Sequence, residues 1–84
     1  MKTLTKNKTE RVEVMALFGY EMTPCQPLSF KRRGERRETE VTELLRTHIH
    51  FAGQATLHVF DILVGREKMT LEFNSGDLSW SLVQ

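Results

Sequence analysis

The amino-acid sequence predicts an all-β fold, either a small barrel or a strongly curved antiparallel sheet of five to six strands. Apolar residues alternate with polar ones at a period of two in several short runs, which is the pattern of half-buried strands. Turn residues, mostly glycine with polar neighbours, separate these runs. Because the chain has 84 residues, it forms one domain with a small core. We expect a flexible tail over residues 1–9 and a single small β-barrel domain over residues 10–84.

The clearest element is the stretch from Leu57 to Phe73, which predicts two strands joined by a turn at residues 65–67. One face of the first strand carries His58, Phe60, Ile62 and Val64, and one face of the second carries Met69, Leu71 and Phe73. This alternation is typical of a half-buried antiparallel hairpin to which the other strands are added.

The N-terminal part predicts a strand, a loop and a second strand. Residues 10–20 alternate, with Val12, Val14, Ala16, Phe18 and Tyr20 on one face. Residues 21–27 are expected to form a loop, because Pro24 and Pro27 lack amide donors and exclude a central strand. An extended segment follows, with Leu28 and Phe30 on one face.

Residues 39–51 fit two patterns. Apolar residues recur at helical spacing, but Thr, Val and Ile are frequent, and we favour a long strand with a bulge near Glu43. A two-residue turn at Gly53-Gln54 would then place Ile49 opposite His58, Leu45 opposite Ile62 and Arg46 opposite Asp61. After a turn at residues 74–77, the last strand is expected to put Leu78, Trp80 and Leu82 on the core face.

From Pro27 onward the chain reads P-L-S-F, a glycine turn, V-T-E-L-L, the long hairpin with L-E-F-N, and L-S-W-S-L. This pattern resembles small uncharacterised bacterial SH3-like β-barrel domains, in which a Pro-x-x-Phe strand enters a glycine hairpin and a tryptophan closes the last strand. The resemblance covers about residues 27–84 and implies a small barrel. It implies no activity, because no shared activity is known for such domains.

Composition and motifs narrow the function classes. No apolar run approaches the roughly 20 residues needed to cross a bilayer, and the N-terminus lacks the apolar region of a signal peptide. A cytoplasmic location and no membrane partner follow as expectations. No nucleophile–base arrangement, paired carboxylates or phosphate-binding loop stands out, so we expect no enzyme, no catalytic residue and no cofactor. The single cysteine, Cys25, excludes an internal disulfide.

The histidines are the only metal-ligand pattern. In a strand, His48 and His50 share a face and could begin a zinc site. With a two-residue turn at Gly53-Gln54 the third histidine, His58, lies on the opposite face, whereas a three-residue turn at residues 52–54 would unite all three. We favour the first register and predict no metal site.

Basic residues cluster around one predicted hairpin tip, in the run K-R-R-G-E-R-R. Residues 1–37 carry nine Lys/Arg against four Glu, which can mark an anion-binding face or reflect pairing with acidic residues elsewhere in the fold. A turn at Gly34-Glu35 would set arginine opposite arginine, which is unfavourable unless an anion lies between them. The candidate anion or nucleic-acid site is Lys31, Arg32, Arg33, Arg36 and Arg37.

A second candidate surface is aliphatic. The predicted register puts four residues on the face opposite Phe60 and Ile62, which would be the outside of a barrel. These candidate protein-contact residues are Leu44, Leu57, Val59 and Leu63. The leading hypothesis is therefore a non-enzymatic binding module for a protein partner or a homodimer. The alternative is a small barrel that binds nucleic acid through the hairpin at residues 31–37.

Overall fold

The computed structural model describes residues 9–20 and 23–84, which form one antiparallel sheet of seven strands curled into a half-barrel. The strands are β1 (Thr9–Tyr20), β2 (Thr23–Arg32), β3 (Thr39–Glu40), β4 (Glu43–Ala52), β5 (Ala55–Val64), β6 (Glu67–Asn74) and β7 (Ser79–Val83). The predicted all-β class and strong curvature are confirmed, and the number of strands is seven rather than five or six. No helix long and apolar enough to cross a bilayer occurs among the residues that the structure describes.

The strands lie in the order β3-β2-β1-β7-β6-β5-β4. Consecutive strands are mostly neighbours, but β1 lies between β2 and β7 and so joins the two ends of the described chain. Here Glu10 pairs with Leu82, and Val12 pairs with Trp80. The predicted tail at residues 1–9 falls outside the described residues except for Thr9, which is the first residue of β1.

The predicted hairpin of β5 and β6 is present, but its turn is Gly65-Arg66 rather than residues 65–67, because Glu67 already pairs with Val64. Gly65 has a φ of 64°, a value that only glycine adopts without strain at the first position of such a turn. Ile62 and Leu71 are fully buried on the concave face. This face therefore forms the floor of the core.

The middle segment is extended, and no helix forms over residues 39–51. The short strand β3 pairs with β2. After β3 the chain crosses to the other end of the sheet, where β4 begins and pairs with β5. The amide of Val41 donates to Leu28 O at 2.9 Å, and the amide of Thr42 donates to Leu63 O at 2.8 Å. This crossing brings opposite ends of the sheet together, which closes one side of the half-barrel.

β4 contains a bulge, as predicted, but the bulge lies at Leu45 rather than near Glu43, and it changes part of the predicted register. Arg46 pairs with Asp61 and Ile49 with His58, as predicted. However, Leu44 rather than Leu45 pairs with Ile62, because the strand gains one residue between Leu44 and Arg46. A bulge turns the preceding residue to the other face, so Leu44 packs against the core.

The predicted loop at residues 21–27 is wrong over residues 23–27, which belong to β2. Prolines are excluded from central strands but not from an edge, and this part of β2 pairs with β1 alone because β3 reaches only Ser29 and Phe30. Leu28 forms a bulge opposite β1 and is exposed, so it does not share the face of Phe30.

The core lies on the concave face. Its buried residues are Cys25, Phe30, Phe60, Ile62, Leu71, Phe73, Trp80 and Leu82. The β1–β2 hairpin extends beyond β7, and from it Cys25 and Phe30 join this cluster while Phe18 packs edge to face on Phe73 with ring centroids 5.7 Å apart. The hairpin thus covers part of the face that β5, β6 and β7 build.

The predicted turn at residues 74–77 is present, but the last strand begins one residue later than predicted. The Asn74 side chain accepts from the amides of Gly76 and Asp77. Leu78 closes the turn with a φ of 59° and is 74% exposed, so it does not belong to the core. Trp80 and Leu82 lie on the core face, as predicted.

Candidate functional site

The four aliphatic residues chosen from the sequence do not form one exposed patch. Leu44 packs against the core because of the β4 bulge. Val59 lies on the outer face, opposite His48 and Glu72 on the neighbouring strands, but its side chain is only 5% exposed. Leu57 and Leu63 are half-buried. The expectation of exposure is therefore wrong for Leu44 and Val59.

Other apolar side chains are exposed instead. They are Met15, Leu17, Phe18, Leu28, Leu45, Ile49, Phe51 and Leu78. Three of them belong to β4, where Ile49 is 50% and Phe51 is 82% exposed. The register places Ile49 and Phe51 on the same face as Thr47, whose partner is the core residue Phe60. A side chain on the core face is left exposed here because β4 is the last strand of the sheet.

Strand β4 is an open edge. Within residues 9–20 and 23–84 it pairs with β5 on one side and with no strand on the other. An edge strand presents unpaired backbone donors and acceptors, and proteins often blunt such edges with proline or charge. Residues 47–52 read T-H-I-H-F-A and contain neither proline nor a formal charge with histidine neutral. The edge is therefore apolar and unprotected.

The edge of β2 differs from that of β4. Its free part carries Pro24 and Pro27, each of which lacks a backbone donor. Proline on an edge prevents the ladder from extending to another strand. Of the two outer edges, the one at β4 is thus the more suited to pairing with a further strand.

The basic run forms a turn with a geometry that differs from the prediction. The amide of Glu35 donates to Arg32 O at 3.0 Å, so the turn is centred on Arg33-Gly34, and Gly34 has a φ of 87°. Phe30 pairs with Thr39 where β2 and β3 meet. Residues 33–38 lie outside the strands, so the expected arginine–arginine ladder pairs are wrong.

Two of the five basic candidates form ion pairs with β1. Arg32 Nη2 lies 2.6 Å from Glu10 Oε1, and this hydrogen bond raises the pKa of the guanidinium. Lys31 Nζ lies 4.0 Å from Glu13 Oε1. Arg33, Arg36 and Arg37 are exposed and form no ion pair with the described residues. The positive charge available to a ligand is therefore concentrated on these three.

A groove of about 880 Å³ lies between the basic turn and the turn before β7. Its charged lining is mixed, with Arg11, Lys31, Arg32 and Arg33 beside Glu13, Glu35 and Asp77. Arg11 is 3.7 Å from Asp77 across it. The acidic side chains reduce the attraction that this groove offers to an anion.

The histidines divide between the two faces, as the favoured register predicted. His58 lies on the concave side with its ring centroid 6.0 Å from that of Phe73. His48 and His50 lie on the outer face of β4 with ring centroids 4.9 Å apart. The described residues contain no cluster of three or more His, Cys, Asp or Glu side chains placed to hold a metal.

Sequence reasoning missed Ile49 and Phe51 as candidate contact residues because alternation assigned them to the core face. Alternation reports which face a residue occupies, but not whether another element covers that face. The absence of proline and charge from residues 47–52 was a usable signal of an unprotected strand.

Comparisons of the chain with protein-family models, with curated proteins and with solved structures found no match.

Proposed function

We propose that this protein is a non-enzymatic binding module that self-associates through β4 of two copies. The observation that supports it is the unprotected edge of β4, with Ile49 and Phe51 exposed on it. Addition of a strand to a free edge satisfies backbone donors and acceptors, and flanking side chains supply the specificity.

Antiparallel pairing of β4 with itself suits this sequence. A twofold axis at Ile49 would make the contact isologous and would place Thr47 opposite Phe51 of the second copy, on the apolar face. Arg46 would then lie opposite Ala52, so that no like charges meet across the axis. The exposed Phe51 would be covered by the second copy, which removes apolar area from water.

The test is sedimentation velocity over a range of protein concentrations. Wild type should show a concentration-dependent dimer. Ile49→Lys should be monomeric and folded, because a lysine at the twofold axis faces its own copy. Leu17→Lys is the matched control, since Leu17 is similarly exposed but lies on β1. A monomeric wild type, or equal loss of the dimer in Leu17→Lys, would contradict the proposal.

The basic turn supports a second candidate function, the binding of single-stranded nucleic acid. The specific observation is that Arg33, Arg36 and Arg37 are exposed at one turn without ion pairs to the described residues. Guanidinium groups match phosphate oxygens in geometry. Lys31 and Arg32 contribute less here, because they are paired with Glu13 and Glu10.

Titration of a labelled mixed-sequence oligonucleotide at several salt concentrations tests this second candidate. Binding should weaken steeply with salt, and Arg36→Glu with Arg37→Glu should remove it. Arg66→Glu is the control, because Arg66 is exposed at a different turn. Salt-independent binding, or equal weakening by Arg66→Glu, would reject the basic turn as the site.

The cytoplasm remains a proposal for the location of this protein. Relationship to small bacterial SH3-like β-barrel domains likewise remains a proposal. It is supported by the small curved antiparallel sheet and by Trp80 in the last strand.

A further inference from the structure

The outer face of β4 carries two imidazoles that no ion pair or hydrogen-bond network in the described residues uses. His48 and His50 are two residues apart on the strand, with ring centroids 4.9 Å apart and ring planes 80° apart. Nδ1 of His48 is buried and has no hydrogen-bond partner in the described structure. A buried polar atom without a partner costs free energy, so an unsatisfied nitrogen in a native structure calls for an explanation.

The separation of the rings fits chelation of one metal ion. With a metal–nitrogen distance of about 2.0–2.1 Å, the ion lies roughly 3.2 Å from each ring centroid. Two imidazoles that subtend an angle of about 90–110° at the ion would then have centroids about 4.5–5.2 Å apart. The observed 4.9 Å lies within this range. His50 is exposed, so its ring can turn to admit an ion.

The surroundings also suit a cation. Val59, the cross-strand partner of His48 on this face, is buried and offers an apolar neighbour. Arg46 is the one Lys or Arg residue in β4, and its Nε lies 3.5 Å from Asp61 Oδ2. That ion pair offsets part of the positive charge which would otherwise oppose a metal ion.

We propose that His48 and His50 chelate a divalent transition metal such as Zn²⁺, and that the same pair of a second copy completes its coordination. Imidazole nitrogens suit zinc, copper and nickel, whereas Mg²⁺ and Ca²⁺ prefer oxygen. In the β4 pairing about Ile49, His48 lies opposite His50 of the second copy, so four imidazoles meet on one face. The shared site rests on the proposed self-association, whereas the chelating pair does not.

Equilibrium dialysis with Zn²⁺ alone tests the proposal. Wild type should bind one Zn²⁺ per two chains, and His48→Ala with His50→Ala should abolish this binding. His58→Gln is the matched control and should bind as wild type does, because His58 lies on the other face. Zinc binding that persists in the doubly substituted variant, or that is equally lost in His58→Gln, would overturn the proposal.

The Ile49→Lys variant separates this proposal from the proposed function. As a monomer it should bind one Zn²⁺ per chain through two imidazoles, more weakly than wild type. If wild type proves monomeric and binds one Zn²⁺ per chain in a His48- and His50-dependent way, the chelating pair is supported and self-association fails. If wild type forms the dimer but shows no such zinc binding, the metal proposal fails alone.

Discussion

Trp80 anchors the core through its ring. The residue is 9% exposed, and its ring centroid lies 4.9 Å from that of Phe73 and 5.6 Å from that of Phe60. Trp80→Ala should lower the free energy of unfolding by about 3–5 kcal/mol, because it removes a large core aromatic and leaves a cavity. Urea denaturation measures the change.

The control is Leu78→Ala, which removes an exposed side chain two residues away and should change stability by less than about 0.5 kcal/mol. A loss below about 1 kcal/mol for Trp80→Ala would mean that the core closes without the indole.

Asp77 links stability to pH. The Ser79 hydroxyl donates to Asp77 Oδ1 at 2.6 Å and holds the pKa of this carboxyl below its ordinary value, with help from the Ser79 amide and Arg11. A carboxyl with a lowered folded-state pKa stabilises the fold above its unfolded value of about 3.9, and that stabilisation is lost as pH falls through the folded value.

Asp77→Asn should therefore be less stable than wild type at neutral pH, and the difference should vanish in strong acid. Urea unfolding over a pH series measures it. In a Ser79→Ala background the pH-dependent difference should shrink, because the principal hydrogen bond is gone. A difference that stays constant down to strong acid would show that ionisation of Asp77 is not its cause.

The seven strands differ in how their backbones are protected. β5 and β6 are paired on both sides, whereas β4 is paired only with β5 among the described strands. Amides in β5 and β6 should exchange slowest, because they require global opening, and the outward amides of β4 should exchange fast. Hydrogen-exchange NMR resolves these classes.

Self-association adds a second expectation for β4. Its outward amides should become protected as protein concentration rises in wild type, and should stay unprotected in Ile49→Lys. Protection of these amides in Ile49→Lys at high dilution would indicate that the edge is covered within one chain. The proposed interface would then be wrong.

At the scale of the whole sheet, the pairings among the described strands join strands adjacent in sequence, except for the pairing of β1 with β7. Loop closure between chain ends is entropically costly and tends to come late in folding. Leu71→Ala, in β6, should chiefly slow folding, whereas Val12→Ala, in β1, should chiefly speed unfolding.

Stopped-flow refolding and unfolding in urea, at concentrations where the chain is monomeric, measure both effects. If Val12→Ala slows folding as strongly as Leu71→Ala, β1 is already paired with β7 in the transition state, and late pairing of these strands is wrong.

How far the sequence predicted the structure depended on the range of the interactions. Local signals were sufficient for the turn at Gly65, the turn at Gly53-Gln54 and the pairing of Arg46 with Asp61, because turn length fixes the register of a hairpin. Local signals missed the bulge at Leu28, and they predicted the bulge in β4 near Glu43 rather than at Leu45. A bulge inserts one extra residue into the ladder, and alternation alone does not show at which residue this happens.

The candidate surfaces show the same division. The sequence identified the basic turn, but only the fold pairs Arg32 with Glu10 and Lys31 with Glu13. These ion pairs join positions 18 to 22 residues apart on two strands, so no sequence window contains them. The exposed Ile49 and Phe51 were likewise indistinguishable from core residues until β4 was seen to end the sheet.

The sequence by itself determined an all-β chain, its main hairpins and the face of most core residues, because backbone alternation and turn geometry are local properties. The tertiary structure decided which strands are edges, which bulges form and which charges are paired. Each of these depends on contacts between segments distant in the chain, above all on the insertion of β1 between β2 and β7. Likewise, β4 ends the sheet because among the described strands it pairs with β5 alone.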